Sequence, residues 1–229
     1  GRNFANPAIA ARIFAMLSWT GAMTRFVPPV DYSKGFFKAM TQYLPYMFGV
    51  DAVTTATPLA MVKAAAQGAP QGGVSVINML LGWTGGCIGE ISAVAIILGG
   101  VYLIVRKIVD WKIPVIYILT TAVFTLIFYK NGYNFILPMI LGGGLMFGAF
   151  FMATDYSTSP NTALGVIIYA IGLGFITVLI RRFGGYPEGV SFAILLMNLV
   201  TPLLDKFINP RSFGEPRKKL FAKREGKNA

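Results

Sequence analysis

The chain has 229 residues, 55% hydrophobic and 13% charged, with a mean hydropathy of +0.63; soluble domains carry about a quarter charged residues, so an ordinary soluble domain is excluded and bilayer-crossing apolar runs are indicated. The net charge of +11 does not call for nucleic acid, because the basic residues crowd the ends of apolar runs and the C-terminal tail, where topology and lipid headgroups account for them. With no His and the single Cys87, the chain has no His ligand for haem or metal, cannot alone build a Cys-ligated iron–sulfur cluster and forms no internal disulfide, so any redox group it carries is organic or shared with another chain.

The opening Gly1-Arg2-Asn3-Phe4-Ala5-Asn6-Pro7-Ala8 has neither an initiating Met nor a signal-peptide pattern. It reads as the interior of a longer protein. A first apolar segment covers 7–23 and contains one charge, Arg12. A loop-rich stretch follows to about Gly72. Within it, 57–68 has the signature of a short helix, with Thr57 as N-cap, Pro58 at N1 and Gly68 as terminator. Residues 74–83 are apolar but too few to span, and they run into Gly82-Trp83-Thr84-Gly85-Gly86-Cys87-Ile88-Gly89-Glu90. That pattern predicts a half-helix meeting a glycine-rich break, a backbone tolerated at membrane depth only under protein or beside a cavity.

Five further spans are expected over 91–105, 113–129, 135–154, 163–180 and 190–204. The chain therefore divides into residues 1–72 (first span and extracytoplasmic loop), 73–205 (a re-entrant segment and five spans) and 206–229 (a basic cytoplasmic tail). Lys and Arg set the orientation. With the tail in the cytoplasm, Arg2, Arg106, Lys107, Lys112 and the tail's Lys206, Arg211, Arg217, Lys218, Lys219, Lys223, Arg224 and Lys227 lie inside. Arg25, Lys34, Lys38, Lys63, Lys130, Arg181 and Arg182 lie outside. The bias favours this orientation, although Arg181-Arg182 sits on the wrong side, and it puts Thr57 on the extracytoplasmic face.

The most informative stretch is Asp51-Ala52-Val53-Thr54-Thr55-Ala56-Thr57-Pro58-Leu59. Read from its residues alone, it is a polar loop that caps a helix, Thr being a favoured N-cap. Three charged residues lie in or beside apolar segments, Arg12, Glu90 and Asp155. Charges there are costly and often functional, and the alternative is that each caps a helix or sits at the interface. The run Gly142-Gly143-Gly144 inside the 135–154 span reads as a close-packing surface. Tyr186-Pro187-Glu188 reads as a turn, and Cys87 as a small buried residue.

Several of these motifs, in order, resemble a known family. Asp51-x-x-Thr54-x-Ala56-Thr57 is similar to the site where a flavin transferase attaches FMN to a threonine hydroxyl through a phosphoester bond. Thr55 stands where many relatives have Gly. Gly1-Arg2-Asn3 with Asn6-Pro7-Ala8, Gly85-Gly86-Cys87-Ile88-Gly89-Glu90, Met152-Ala153-Thr154-Asp155, Gly184-Gly185-Tyr186-Pro187-Glu188-Gly189 and Ile208-Asn209-Pro210-Arg211 extend the likeness over nearly the whole chain. The family includes the D subunit of Rnf complexes and the B subunit of the sodium-translocating NADH:quinone reductase, and Asp-Ala-Val-Thr-x-Ala-Thr-Pro-Leu favours the first branch.

The resemblance implies an all-α polytopic fold with broken helices, built in the complete member from two five-helix inverted repeats. It implies FMN on Thr57, within the motif of Asp51, Thr54 and Ala56, and riboflavin as a second flavin; beside Thr57, Leu59 can offer a backbone N–H and Lys63, within reach in sequence, a cation. Glu90, Arg12 and Asp155 become candidate positions for an ion or that second flavin. It further implies electron transfer from ferredoxin to NAD⁺ coupled to Na⁺ or H⁺ movement, other Rnf subunits as partners, a second flavoprotein among them, and a bacterial or archaeal cytoplasmic membrane. A phosphate at the Thr57 N-cap would meet free backbone N–H groups and the positive end of a helix dipole. Against this stand a transporter or channel without redox chemistry, which half-helices and an intramembrane Glu would suit, and a structural anchor subunit.

Overall fold

A computed structural model describes residues 3, 5–24, 26, 57–66, 75–87, 92–130, 132–186 and 188–208. Asp51, Thr54, Ala56 and Glu90 lie outside the described residues, as do the basic tail and the predicted Gly68 stop. The described residues are helical, with no strand among them.

Helix α1, Pro7–Ser18, starts where Asn6 accepts a bond from the Ala8 N–H at 3.0 Å and Pro7 fills the first turn. Its stripe Ile9, Ile13 and Met16 is buried, the three- and four-residue spacing of one helix face. The expected single segment over 7–23 is instead broken at Trp19 (φ −129°, ψ 50°), and a short α2, Thr20–Met23, follows. Helix α3 is Pro58–Ala66 and α4 is Val76–Leu81, closed by Gly82 in the left-handed region at φ 96°. This is the short half-helix that the glycine pattern predicts.

The bundle proper comprises α5 (Ala93–Val105), α6 (Lys112–Phe128), α7 (Gly132–Leu141), α8 (Leu145–Phe147, running into a π-helical turn over Gly148–Met152), α9 (Ala163–Phe183) and α10 (Val190–Phe207). The expected span over 135–154 is not one straight helix. Helices α7 and α8 with its π-turn are bent by 62° at the glycine run. Gly143 (φ 69°) and Gly144 (φ 65°) both take the left-handed conformation that an L side chain resists. The glycines serve close packing too, as read from the sequence, but they also break the helix.

Among the described residues, α9 and α10 are long and apolar enough to cross a bilayer, and the bent α7–α8 pair makes a third crossing if taken as one. Helices α1, α5 and α6, at 12, 13 and 17 residues, fall short of the ~20 residues that a full crossing takes. Leucine, valine, isoleucine and phenylalanine side chains on α5, α6, α9 and α10 face outward, with Leu98 67%, Ile127 64% and Leu164 57% exposed. An outer surface of this kind suits lipid or partner helices rather than water.

Polar groups turn inward. Along α9 the residues Tyr169, Leu173, Thr177 and Arg181, spaced by four, all lie buried. Tyr117 on α6 bonds Thr177 at 2.7 Å, and Thr177 in turn donates to the Leu173 carbonyl at 2.8 Å, so Tyr117 is the donor of the pair. The Asn198 amide is satisfied when its nitrogen faces Tyr169 Oη (2.8 Å) and the Ile194 carbonyl (3.2 Å), its oxygen then accepting from Asn6 N at 3.3 Å. Close helix approach depends on small residues. A Cβ on Gly174 would lie 2.7 Å from Thr120, and one on Gly172 2.7 Å from Met197.

Candidate functional site

Helix α3 is nine residues long, too short to persist by itself in water; packing must hold it. Leu59 and Val62, 1% and 3% exposed, join Tyr129, Phe135, Met139 and Val178 in one apolar cluster. That cluster docks α3 on α7 and the late turns of α9. Thr57 is the N-cap as predicted. Its Oγ1 accepts from the Ala60 N–H at 3.2 Å, and its carbonyl accepts from Met61 N at 3.1 Å.

Lys63 lies on the last turns of α3, and its Nζ donates to the Gly184 carbonyl at the C-terminal cap of α9. Its ammonium is thus engaged at a helix C-terminus, a favourable place for a cation. Burial pulls its pKa below the usual lysine value.

The glycine break of α7 is a hub. A Cβ on Gly142 would meet Pro138 O at 2.8 Å and Met79 of α4 at 3.1 Å, and one on Gly143 would meet Leu59 Cδ2 at 2.3 Å and Arg181 Nη2 at 2.9 Å. Helices α3, α4 and α9 therefore converge on the end of α7. Arg181, 1% exposed, reaches in from α9. Its Nε donates to the Glu188 carbonyl at 2.9 Å, its Nη2 to the Gly142 and Gly143 carbonyls at 3.1 and 3.4 Å, and its Nη1 to the Met139 carbonyl. Arg181 is not the loop charge that the sequence suggests, because it lies within α9 and projects into the bundle on that helix's buried stripe.

Arg12 and Asp155 do not share a site. Arg12 pairs with Glu188 Oε2 at 2.8 Å and lies 3.9 Å from Cys87 Sγ. Glu188 is thus more than a turn residue, its carboxylate holding Arg12 while its carbonyl holds Arg181. Cys87 is half-buried, at the glycine-rich break. Asp155 instead organises its own loop, accepting from the Ser157 N–H at 3.1 Å and the Ser157 hydroxyl at 2.8 Å, with the Asn6 amide at 3.4 Å. It ties the α8–α9 loop to Asn6, the N-cap of α1, and organises a turn rather than capping a helix, since Thr162 is the N-cap of α9. The sequence reading missed Arg181 and Glu188. The four-residue spacing from Tyr169 was the available signal for the first.

The sequence model of the NQR2, RnfD, RnfE family matches residues 1–214. The chain is 49% identical over 225 residues to the D subunit of a Na⁺-translocating ferredoxin:NAD⁺ oxidoreductase complex from Acetobacterium woodii, covering 97% of this chain and 63% of that protein. It is 45% identical over 227 residues to the D subunit of a proton-translocating ferredoxin:NAD⁺ oxidoreductase complex from Clostridium ljungdahlii (95% and 63% covered). Identity to the D subunit of an ion-translocating oxidoreductase complex from Halorhodospira halophila is 36% over 230 residues (95% and 64%). The chain thus spans a little under two thirds of the length of these relatives. With the matched region running from the first residue through the last bundle helix, and the motifs around Thr57 and the glycine break inside it, the chain belongs to the NQR2, RnfD, RnfE family.

Proposed function

We propose that this chain belongs to the D-type component of an Rnf complex, an electron-carrying membrane subunit of an ion-translocating ferredoxin:NAD⁺ oxidoreductase with no complete active site of its own. The observation that carries the reading is the Thr57 hydroxyl at the N-cap of a packed helix, on the residue that the family resemblance marks for an FMN phosphoester. Family membership and the names of the relatives support it.

The residues present fit a phosphate at that position. The first turn of a helix directs its N–H groups at the N-cap; Pro58 has none, and Leu59 and Ala60 supply theirs. FMN bound there would supply one- and two-electron chemistry. The chain's own residues do the holding. Thr57 Oγ1 would provide the ester oxygen and the first-turn N–H groups would face the phosphate, while Leu59 and Val62 anchor the helix and Lys63 ties its last turn to α9. Thr57 is 5% exposed, so the point of attachment would lie against protein rather than in open water. Asp51, Thr54 and Ala56 complete the motif that a flavin transferase would read.

Riboflavin held between helices is the second flavin of this reading. Other Rnf subunits, a further flavoprotein among them, and membrane lipid are the partners. The membrane is bacterial or archaeal and cytoplasmic, with Thr57 outside and the basic tail inside. The burial of Arg181 supports that orientation, since it removes a charge from the outer loops and sharpens the positive-inside bias. The coupled ion is Na⁺ or H⁺; relatives at 49% and 45% identity carry different ions in their names.

In-gel ultraviolet fluorescence of the denatured chain tests the proposal, using complex expressed in a host that has the flavin transferase. Fluorescence present in the wild type and in Thr57→Ser, and lost in Thr57→Ala, is the expected result. A dark wild-type band favours the transporter reading, and a fluorescent Thr57→Ala band moves the attachment elsewhere.

A further inference from the structure

We infer that Arg181 is a positioning residue, a tethered cation whose guanidinium fills a cradle of main-chain carbonyls at the open end of α7 and thereby seats the helix that carries Thr57. The last carbonyls of a helix have no partner within it and form the negative end of its dipole. In a soluble protein water would satisfy them, but in a bilayer protein groups must. Helix α7 ends at Leu141 inside the bundle, and Met139, Gly142 and Gly143 present their carbonyls there. Arg181 takes all three and a fourth from Glu188. A planar fork of five N–H donors suits several carbonyls at once, which a lysine ammonium cannot match.

The link to Thr57 runs through Gly143. The point where a Cβ would stand on this residue is 2.9 Å from Arg181 Nη2 and 2.3 Å from Leu59 Cδ2. Guanidinium and leucine therefore wall the same glycine. Leu59 is 1% exposed and two residues beyond Thr57. Without the guanidinium the carbonyls at the end of α7 lose their donor, a void opens beside Leu59, and the seat of α3 loosens. The seating stands on the packing alone; its bearing on electron transfer rests on the function proposed above.

The test is hydrogen exchange on the whole complex in lipid nanodiscs, for wild type, Arg181→Ala and Arg181→Lys. Peptides over 57–66 report the seat, and peptides over 163–170 report the far end of α9. In Arg181→Ala the 57–66 amides should exchange about tenfold to a hundredfold faster, the factor for one lost charge-assisted hydrogen bond, with 163–170 unchanged. Millimolar guanidinium, but not urea, should restore protection by refilling the cradle. Wild-type exchange over 57–66, or a uniform loosening of both regions that guanidinium does not reverse, would overturn the inference. If Arg181→Ala does not assemble, Arg181→Lys decides. Partial loosening of 57–66 is expected, and exchange identical to wild type contradicts the need for the fork. In-gel flavin fluorescence on the same samples separates the two readings, since a dark wild-type band sinks the flavin proposal and leaves the exchange result standing.

Discussion

Replacing Gly143 by alanine should unseat α3 while leaving the rest of the bundle folded. Gly143 sits at φ 69°, and its Cβ would stand 2.3 Å from Leu59 Cδ2 and 2.9 Å from Arg181 Nη2. Holding an L-residue in the left-handed region costs about 1–2 kcal/mol, and forcing an extra carbon into a packed site about 1–3 kcal/mol. Neither neighbour yields easily, since Leu59 is packed in its cluster and the guanidinium is held by carbonyls. The expected penalty is about 2–5 kcal/mol, concentrated where α3 meets α7. Gly185→Ala is the control, because a Cβ there would meet nothing within 4 Å. Lys63 provides the assay, as trypsin can cut after it only when α3 leaves its seat. Cleavage under native conditions tracks the open population, so Gly143→Ala should be cut about thirtyfold faster or more, the factor for 2 kcal/mol. Equal cleavage rates in the two variants would refute the reasoning.

Other consequences can be checked in the same membrane preparations. Arg12 and Glu188 form a 2.8 Å ion pair whose side chains are 26% and 13% exposed; losing either partner should cost about 1–3 kcal/mol, and a double-mutant cycle should show the two losses to be non-additive, additive losses contradicting the pair. Tyr129 Oη is buried with no hydrogen-bond partner among the described residues, so Tyr129→Phe should hold or raise thermal stability, by up to about 1 kcal/mol; a clear loss would show that the hydroxyl has a partner elsewhere in the chain or in the assembled complex. Burial depresses the Lys63 pKa below 10.5, so the unfolded chain holds that proton more tightly. The stability this group contributes is full above 10.5 and is lost as pH falls through its folded value. Competitive acylation over an alkaline pH series should therefore give Lys63 a lower midpoint than the other lysines, and an equal midpoint would count against its burial.

Much of the architecture was legible because long apolar runs have one economical reading. The expected bounds 163–180 and 190–204 fall within α9 and α10, and Thr57-Pro58 marked the start of α3 by cap chemistry alone. What escaped depended on tertiary context. Three consecutive glycines permit either a close helix contact or a break, and the choice fell to Leu59, Met79 and Arg181 crowding the end of α7. Arg181-Arg182 reads as a loop dipeptide because both are charged, yet its four-residue offset from Tyr169, Leu173 and Thr177 places Arg181 on the inner face of α9. The pairing of Arg12 with Glu188 joins residues 176 apart in sequence, a distance over which no local pattern speaks. Asp51, Thr54, Ala56 and Glu90 lie outside the described residues.

The most direct measurement is the mass of the proteolytic fragment that spans Thr57, taken from complex purified out of its native membrane. A flavin ester at Thr57 predicts a fragment heavier by FMN less one water, with fragmentation placing the addition on the Thr57 hydroxyl. An unmodified fragment, in a complex that still transfers electrons, would contradict it.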